Sequence, residues 1–361
     1  MPAAPQYLRI VVNAERRYGL WPFTRRIPPG WADTYFVGSR MRCLAQITEL
    51  TRHHGPAPSP GDHPDAAGRT ATGRLGRITA AAPHRAAVLS AGRPLTFGEL
   101  DRRAGALARA VAERGVRRGE LVGLRLRPGT GAVVARLAVL KAGAAYLPMR
   151  DGSPPAQPDL RLIIAEPEYA GPARRHGLPV LVRRRDRAGG RAPAWVGRAV
   201  VPGDPAYVVP GPAPGGGLVF DHGRLVLAAA AATHAAGGPL PAGGPPEYSA
   251  RSLDCDELVI WGQLLHGEPI RFDGHGVATP PGADDPDPHH ARWYVLDDDL
   301  HPVPEGQLYL AADWLGGGYG GGPTRTARWL RPDPFDRAGG GTMLWTGHRA
   351  RRDNGVLRLA D

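Results

Sequence analysis

Apolar positions along the chain fall into short blocks whose period shifts between strand-like and helical. Residues 7–12 (YLRIVV) read as a strand and residues 17–21 as a second, with a turn at Pro28-Pro29-Gly30. Ser39 offers an N-cap for a helix to about Arg52, in which Cys43, Ile47 and Leu50 recur at i, i+4 and i+7 on one face. A small sheet covered by one helix is therefore expected. From about Gly55 to Gly73, Pro, Gly and small polar residues show no period and read as a linker.

A different pattern follows the linker. Thr96 and Glu99 form a capping box ahead of a helix whose Leu100, Ala104, Leu107 and Val111 share a face, and Gly115 supplies its stop. A strand at 121–126, a helix at 130–141 and a strand at 144–147 come next, and this alternation predicts a parallel or mixed sheet wrapped by helices. Buried strands are expected at 160–165 and 178–182, helices at 226–236 and 258–265, and two strands joined by a polar turn at 293–312. Residues 274–290 carry no apolar period and read as a loop.

Composition adds bounds. A hydrophobic share of 42% over 361 residues supports two or three domains with real cores, while 50 glycines and 39 prolines predict long connections. The formal net charge of +11 is carried almost wholly by arginine, Lys141 being the one lysine. Those arginines are scattered without interleaved aromatics, which argues against nucleic acid and leaves a solvated surface or an acidic protein partner. Cys43 and Cys255 fit no metal-ligand spacing, and neither a leader pattern nor an apolar run of membrane-spanning length occurs, so a cytoplasmic protein with no resident metal is expected.

The candidate chemistry centres on residues 204–225, DPAYVVPGPAPGGGLVFDHGRL, which read as strand, Gly-rich turn and helix start. A phosphate-cradling loop points backbone N–H groups at oxygen and adds a cation. Gly211, Gly215, Gly216 and Gly217 keep the form of such a loop, but Pro210, Pro212 and Pro214 each lack an N–H, and the turn has no Lys, Ser or Thr. Asp284, Asp285, Asp287, His289 and His290 read as a solvated loop rather than a metal site, since ordering it would cost much entropy.

Two resemblances follow from the motifs. Residues 7–44 resemble the MbtH-like proteins, small partners of nonribosomal peptide synthetases, through Asn13, Glu15, Tyr18, Leu20-Trp21-Pro22, Pro28-Pro29-Gly30-Trp31 and Cys43-Leu44. The family usually has Ser where this chain has Gly19, and the usual Trp-Thr-Asp run after Leu50 is missing. Residues from about 75 to 361 resemble an amino-acid adenylation domain of the AMP-binding superfamily: LTFGEL, LKAGAAYLPM, AYVV with DHGRL, RSLDCDELVIWGQLLHGE, TRTARWLRPDPF and WTGHRARRDNGVLRL occur in the family's order.

The resemblance implies an α/β protein. A small α+β MbtH-like domain (1–54) and a linker (55–73) would precede a truncated adenylation-like large subdomain (74–361) with helix-wrapped mixed sheets. It places Asp254 where the family binds a substrate ammonium, although the residue by itself reads more readily as a solvated or capping Asp at a helix start. It places His348 where an Asp holds ribose hydroxyls, and Trp21 and Trp31 as the pair between which a small residue, Ala327, inserts. Internal docking of the MbtH-like unit follows from that insertion. The nucleotide-pocket motif is missing, and the hinge and C-terminal subdomain with the catalytic Lys would lie past Asp361. Losing one preorganised donor typically costs ~10²- to 10³-fold in rate, so the resemblance implies a non-catalytic accessory protein with no ATP or magnesium. Its partner would be a synthetase module, a carrier protein or a tailoring enzyme. The alternatives are a split adenylating enzyme completed in trans, using ATP and magnesium, and a decayed product without a role.

Overall fold

The computed structural model describes residues 7–52, 66–89, 93–149, 160–174, 177–183, 198–210, 217–234, 255–272, 292–312, 315, 318–319, 323–353 and 356–360. These residues divide into two compact units, each discontinuous in sequence. The first draws on Met1–Pro58 and Asp285–Asp361, the second on Ser59–Gly237 and Leu253–Asp284. The C-terminal strands share a hydrophobic core with the N-terminal segment, so the compact units cut across the expected 1–54 and 74–361 domains.

The first unit begins with β1 (Leu8–Asn13), β2 (Tyr18–Pro22) and β3 (Trp31–Gly38), an antiparallel sheet in the order β2-β1-β3, followed by α1 (Arg40–Arg52). Strand β3 was not anticipated, because every position between its two ends is at least partly exposed and its alternation is blurred. Asn13 turns β1 into β2: its side-chain carbonyl accepts from the backbone N–H groups of Glu15 (3.1 Å) and Arg17 (2.9 Å). The Ser39 carbonyl accepts from Cys43 N–H at 2.9 Å, which starts α1 where the capping pattern put it. Cys43 is fully buried against the Leu8 carbonyl (3.4 Å), and burial pushes its thiol up, so it packs as a small hydrophobe.

Part of the expected 55–73 linker is ordered structure in the second unit. Ala66–Arg69 form a 3-10 turn, and α2 (Ala71–Ala81) starts behind Thr70, whose hydroxyl accepts from Gly73 N–H at 3.2 Å. There follow β4 (Ala86–Leu89), β5 (Leu95–Thr96), α3 (Phe97–Glu113), β6 (Leu121–Arg125), α4 (Thr130–Lys141), β7 (Ala145–Pro148), β8 (Leu160–Ala165), α5 (Pro167–Arg174) and β9 (Val180–Val182). The unit continues with β10 (Pro205–Pro210), β11 (Gly217–Asp221), α6 (His222–His234), α7 (Cys255–Leu265) and β12 (Ile270–Arg271). Its main sheet runs β11-β10-β7-β6-β8-β9, parallel throughout except for the antiparallel β10–β11 pair. The Thr96–Glu99 capping box is formed in both directions, and Gly115 takes a φ of +80° just past α3.

The chain then completes the first unit with β13 (Arg292–Leu296), β14 (Glu305–Ala311), β15 (Gly318–Tyr319), α8 (Pro323–Trp329), β16 (Leu330–Pro332), β17 (Thr342–Asp353) and β18 (Val356–Ala360). Four of these strands form an antiparallel sheet, β13-β14-β17-β16, and β18 pairs with β17. Among the described residues no helix is long and apolar enough to cross a membrane, and no group of three His, Cys, Asp or Glu side chains is placed to hold a metal ion. The run from Asp284 to His290 lies outside the described residues.

Helix α4 is buried almost all round, yet carries Arg136 in the middle of Val133, Val134, Ala135 and Leu137. A cation there needs an acid. Glu257 of α7, 1% exposed, supplies it: Arg136 Nε donates to both carboxylate oxygens (2.7 and 2.9 Å), and a second guanidinium nitrogen adds a further bond. Tyr146 on β7 donates its hydroxyl to Glu257 (2.5 Å) and accepts from Trp261 Nε1 (2.7 Å). Burial and the adjacent carboxylate hold the Tyr146 phenol well above its ordinary pKa, so it remains a donor. This network ties α4, β7 and α7 together inside the second unit. Glu257→Leu, which strands the guanidinium, is expected to cost about 3–5 kcal/mol. In equilibrium urea unfolding the Arg136→Leu, Glu257→Leu double variant should recover most of that loss.

Candidate functional site

Alternation along β2 sends Leu20 and Trp21 to opposite faces of the N-terminal sheet. Leu20 joins Leu8, Ile10, Cys43, Ile47 and Ala327 in one buried cluster under α1. Trp21 and Trp31 join Val11 and, from the C-terminal strands, Leu296, Leu300, Tyr309, Ala311 and Met343 in another. Both indoles are buried, and both ring N–H groups are satisfied: Trp21 Nε1 donates to the Arg26 carbonyl (3.2 Å) and Trp31 Nε1 to the Gly341 carbonyl (3.3 Å). Pro22, also buried, ends β2 opposite Leu8.

Ala327 therefore sits on the Leu20 side of β2, not between the tryptophans as the resemblance implied. The residue that closes on the Trp31 side is Pro332, at the end of β16. A Cβ built on Gly19 would lie 2.8 Å from Pro332 Cδ and 3.3 Å from the Trp31 ring. Glycine at position 19, where the related family usually carries Ser, makes room for that proline.

Backbone approaches backbone at the other end of the cleft. Gly30, Gly339 and Gly340 all have φ between +76° and +84°, and Gly340 N–H donates to the Pro29 carbonyl at 2.9 Å. A Cβ on Gly30 would come within 2.3 Å of Gly340 N. Asn13 Nδ2 donates to the Gly340 carbonyl (3.1 Å), and Arg25 donates to the carbonyls of Leu300 (2.5 Å) and Asp299 (3.1 Å) while its guanidinium lies 5.6 Å from the Trp21 ring centre. The cleft is closed by the chain's own C-terminal strands and turns. Sequence motifs located the tryptophans; Pro332, Gly339 and Gly340 carried no local signal.

The other expected site residues are placed less fully. His348 lies on β17, half-buried, with its backbone N–H donating to Thr346 Oγ1 (3.3 Å). Gly217 opens β11, whereas Gly211, Gly215, Gly216 and Asp254 lie outside the described residues. Residues 204–225, expected as strand, turn and helix, contain a second strand: β10 and β11 pair antiparallel from Pro205 opposite Asp221 to Pro210 opposite Gly217. The apolar run Leu218-Val219-Phe220 is short enough to be hidden behind the glycines that precede it.

His222, which sequence reasoning passed over, begins α6 fully buried. Its backbone N–H donates to the Asp204 carbonyl at 2.9 Å, and neither ring nitrogen has a hydrogen-bond partner among the described residues. Burial pushes its pKa down to about 4, so the ring is neutral at physiological pH. The only lysine, Lys141, is engaged with the Asp101 carboxylate at 2.7 Å.

Comparison with known proteins now bears on these features. Residues 4–57 match the family model of the MbtH-like protein, and residues 77–169 that of the AMP-binding enzyme. An MbtH-like segment and an AMP-binding segment share this one chain. The chain is 45% identical over 67 residues to tyrocidine synthase 1 of Brevibacillus parabrevis, covering 19% of this chain and 6% of that protein. It is 28% identical over 134 residues to bacitracin synthase 1 of Bacillus licheniformis, covering 35% and 2%. Both matches thus span a small fraction of those proteins' lengths. Among solved structures, the nonribosomal peptide synthetase FmoA3 (S1046A) superposes with a TM-score of 0.58 at 20% identity, over 89% of this chain and 47% of that one. The mixed α/β fold is that of such synthetase structures. The tryptophan cleft belongs to the MbtH-like segment.

Two outcomes follow from the cleft and from His222. Gly19→Ser, which restores the residue usual in the related family, pushes a side chain into Pro332 and is expected to cost about 1–3 kcal/mol in thermal unfolding, while Pro332→Ala in the same chain relieves it. His222 holds a pKa of about 4 in the fold against 6.5 unfolded. The unfolded state therefore binds the extra proton, and its stabilising effect, full above pH 6.5, is lost as pH falls towards 4 by about 3 kcal/mol. Urea midpoints at pH 7 and pH 4.5 should show that drop in the wild type and a smaller one in His222→Gln.

Proposed function

We propose that this chain is a non-catalytic accessory protein of nonribosomal peptide synthesis, whose MbtH-like segment is engaged by its own adenylation-like strands. The observation that carries this reading is the make-up of the β10–β11 connection. From Pro210 to Gly217 it offers three prolines, no hydroxyl and no amine. An ATP-using loop needs N–H donors and a cation aimed at phosphate oxygens, and this donor set does not fit a nucleoside triphosphate. No ATP-dependent step is assigned to it.

Closure of the tryptophan cleft supports the same reading. An MbtH-like cleft filled from within has no room for a second adenylation domain, so a partner must be met elsewhere. Tyr35 and Met41 of the MbtH-like segment are 90% and 77% exposed and offer apolar side chains to it. The net charge of +11 suits an acidic carrier protein or a synthetase module, with a tailoring enzyme as a further candidate. In this reading the protein works in the cytoplasm beside the synthetase it serves.

Purified full-length protein should show no ATP–pyrophosphate exchange with any proteinogenic amino acid, and a tagged copy should retain a synthetase module or carrier protein identified by mass spectrometry. Tyr35→Ser with Met41→Ser should weaken that retention without changing thermal stability. Exchange by the chain alone would overturn the proposal. Exchange that arises only with a second protein would favour a split adenylating enzyme instead.

A further inference from the structure

A cavity of about 100 Å³ lies in the first unit between the N-terminal sheet and the C-terminal strands, lined among others by Arg40, Asp298, Gln307, Tyr309, Arg331 and Trp345. Arg331 is 92% buried, its exposure being 8%. Its Nη1 donates to the Ala327 carbonyl at 2.6 Å, and it also bonds to the Tyr309 hydroxyl. Both partners are neutral. Arg40 donates to another neutral acceptor, the Arg328 carbonyl (3.0 Å), and its guanidinium lies 5.0 Å from the Trp345 ring centre. Among the described residues neither guanidinium has a carboxylate within ion-pair distance.

Two arginines at one cavity with no carboxylate in direct contact are costly for a fold, since each loses hydration and the pair repels. Burial and the neighbouring Arg40 push Arg331 down to about 10, which still leaves it charged at physiological pH. Two part-buried arginines elsewhere do have an acid: Arg136 has Glu257, and Arg9 has Asp33 at 2.8 Å. Asp298 is the one acid among the side chains that line this cavity, against the two guanidiniums. We propose that this cavity is a binding site for a small organic monocarboxylate, held by the Arg331 and Arg40 guanidiniums. A guanidinium's planar fork matches a carboxylate in shape and in charge. Leu8, Leu20 and Leu300 provide apolar wall for a short carbon chain, and the volume limits that chain to a few carbons. This site is independent of the accessory role proposed above, and its occupant would bridge the MbtH-like segment to the strands that close on it.

Propionate is the probe, acetate and inorganic phosphate the comparisons, and the full chain the protein. Saturation-transfer NMR should show the propionate methyl in contact with the wild type, and 100 mM propionate should raise the unfolding midpoint by about 5 °C over sodium chloride of equal ionic strength. Arg331→Met and Arg40→Gln should each weaken propionate binding by about tenfold or more. Arg40 is half-buried and on the rim, so its variant decides the matter if the Arg331 variant does not fold. A midpoint rise equal in chloride, transfer unchanged in Arg40→Gln, or phosphate bound as tightly as propionate would each overturn the assignment.

Discussion

Where Gly30 meets Gly339 and Gly340, two stretches of backbone more than three hundred residues apart lie closer than any side chain would permit. The first unit depends on that approach. The Gly340 N–H bond to the Pro29 carbonyl fixes one end of the contact, and Pro332 against Gly19 fixes the other. Between them Trp21 and Trp31 lose contact with water and give up both ring N–H groups to carbonyls, one of them across the contact. Aromatic burial supplies most of the driving force. The glycines decide that it is spent on these particular strands.

The second unit rests on a different constraint. Its sheet and helices follow from apolar periodicity, but one charge was placed in the interior of α4 and had to be matched. Arg136, Glu257, Tyr146 and Trp261 form a chain of charge-assisted and neutral bonds that leaves no member unsatisfied. A buried network of this kind adds little net stability over an apolar core, yet removing one partner is severe. It fixes the register of α7 against α4, and α7 lies within the segment 251–268 that resembles an amino-acid pocket motif. The proline-rich β10–β11 connection and the intact Arg136–Glu257 pair thus belong to one unit, whose α4, β7 and α7 remain tied by that network.

Reading of the local pattern recovered β1, β2, α1, α3, α4 and β8 nearly to the residue, because each combines a clean period with a cap or a turn. Thr96 with Glu99, Ser39 and Gly115 are signals that act within four residues of themselves. The pattern failed at β3, whose half-exposed face blurs the alternation, at α2, whose Thr70 cap lies in a Pro- and Gly-rich stretch, and at β11, whose apolar run hides behind glycines. The candidate site divided along the same line. Its tryptophans were legible from their neighbours, Leu20 with Pro22 and Gly30 before Trp31, but Ala327 was assigned to the wrong side of β2 and Pro332 was not seen.

The sequence by itself determined most of the segments that become strands and helices, that an MbtH-like segment precedes an adenylation-like one, and that the turn after Val209 carries three prolines and no Lys, Ser or Thr. All of these are set by residue types at short range. Only the tertiary structure decided which residues close the cleft, that Pro332 lies across from Gly19, that Arg136 finds Glu257, and that Arg331 and Arg40 face one cavity. Each of those pairs is separated by more than a hundred residues. No local period or propensity encodes such a meeting, which exists only once buried area and close-packed backbone have chosen the partners.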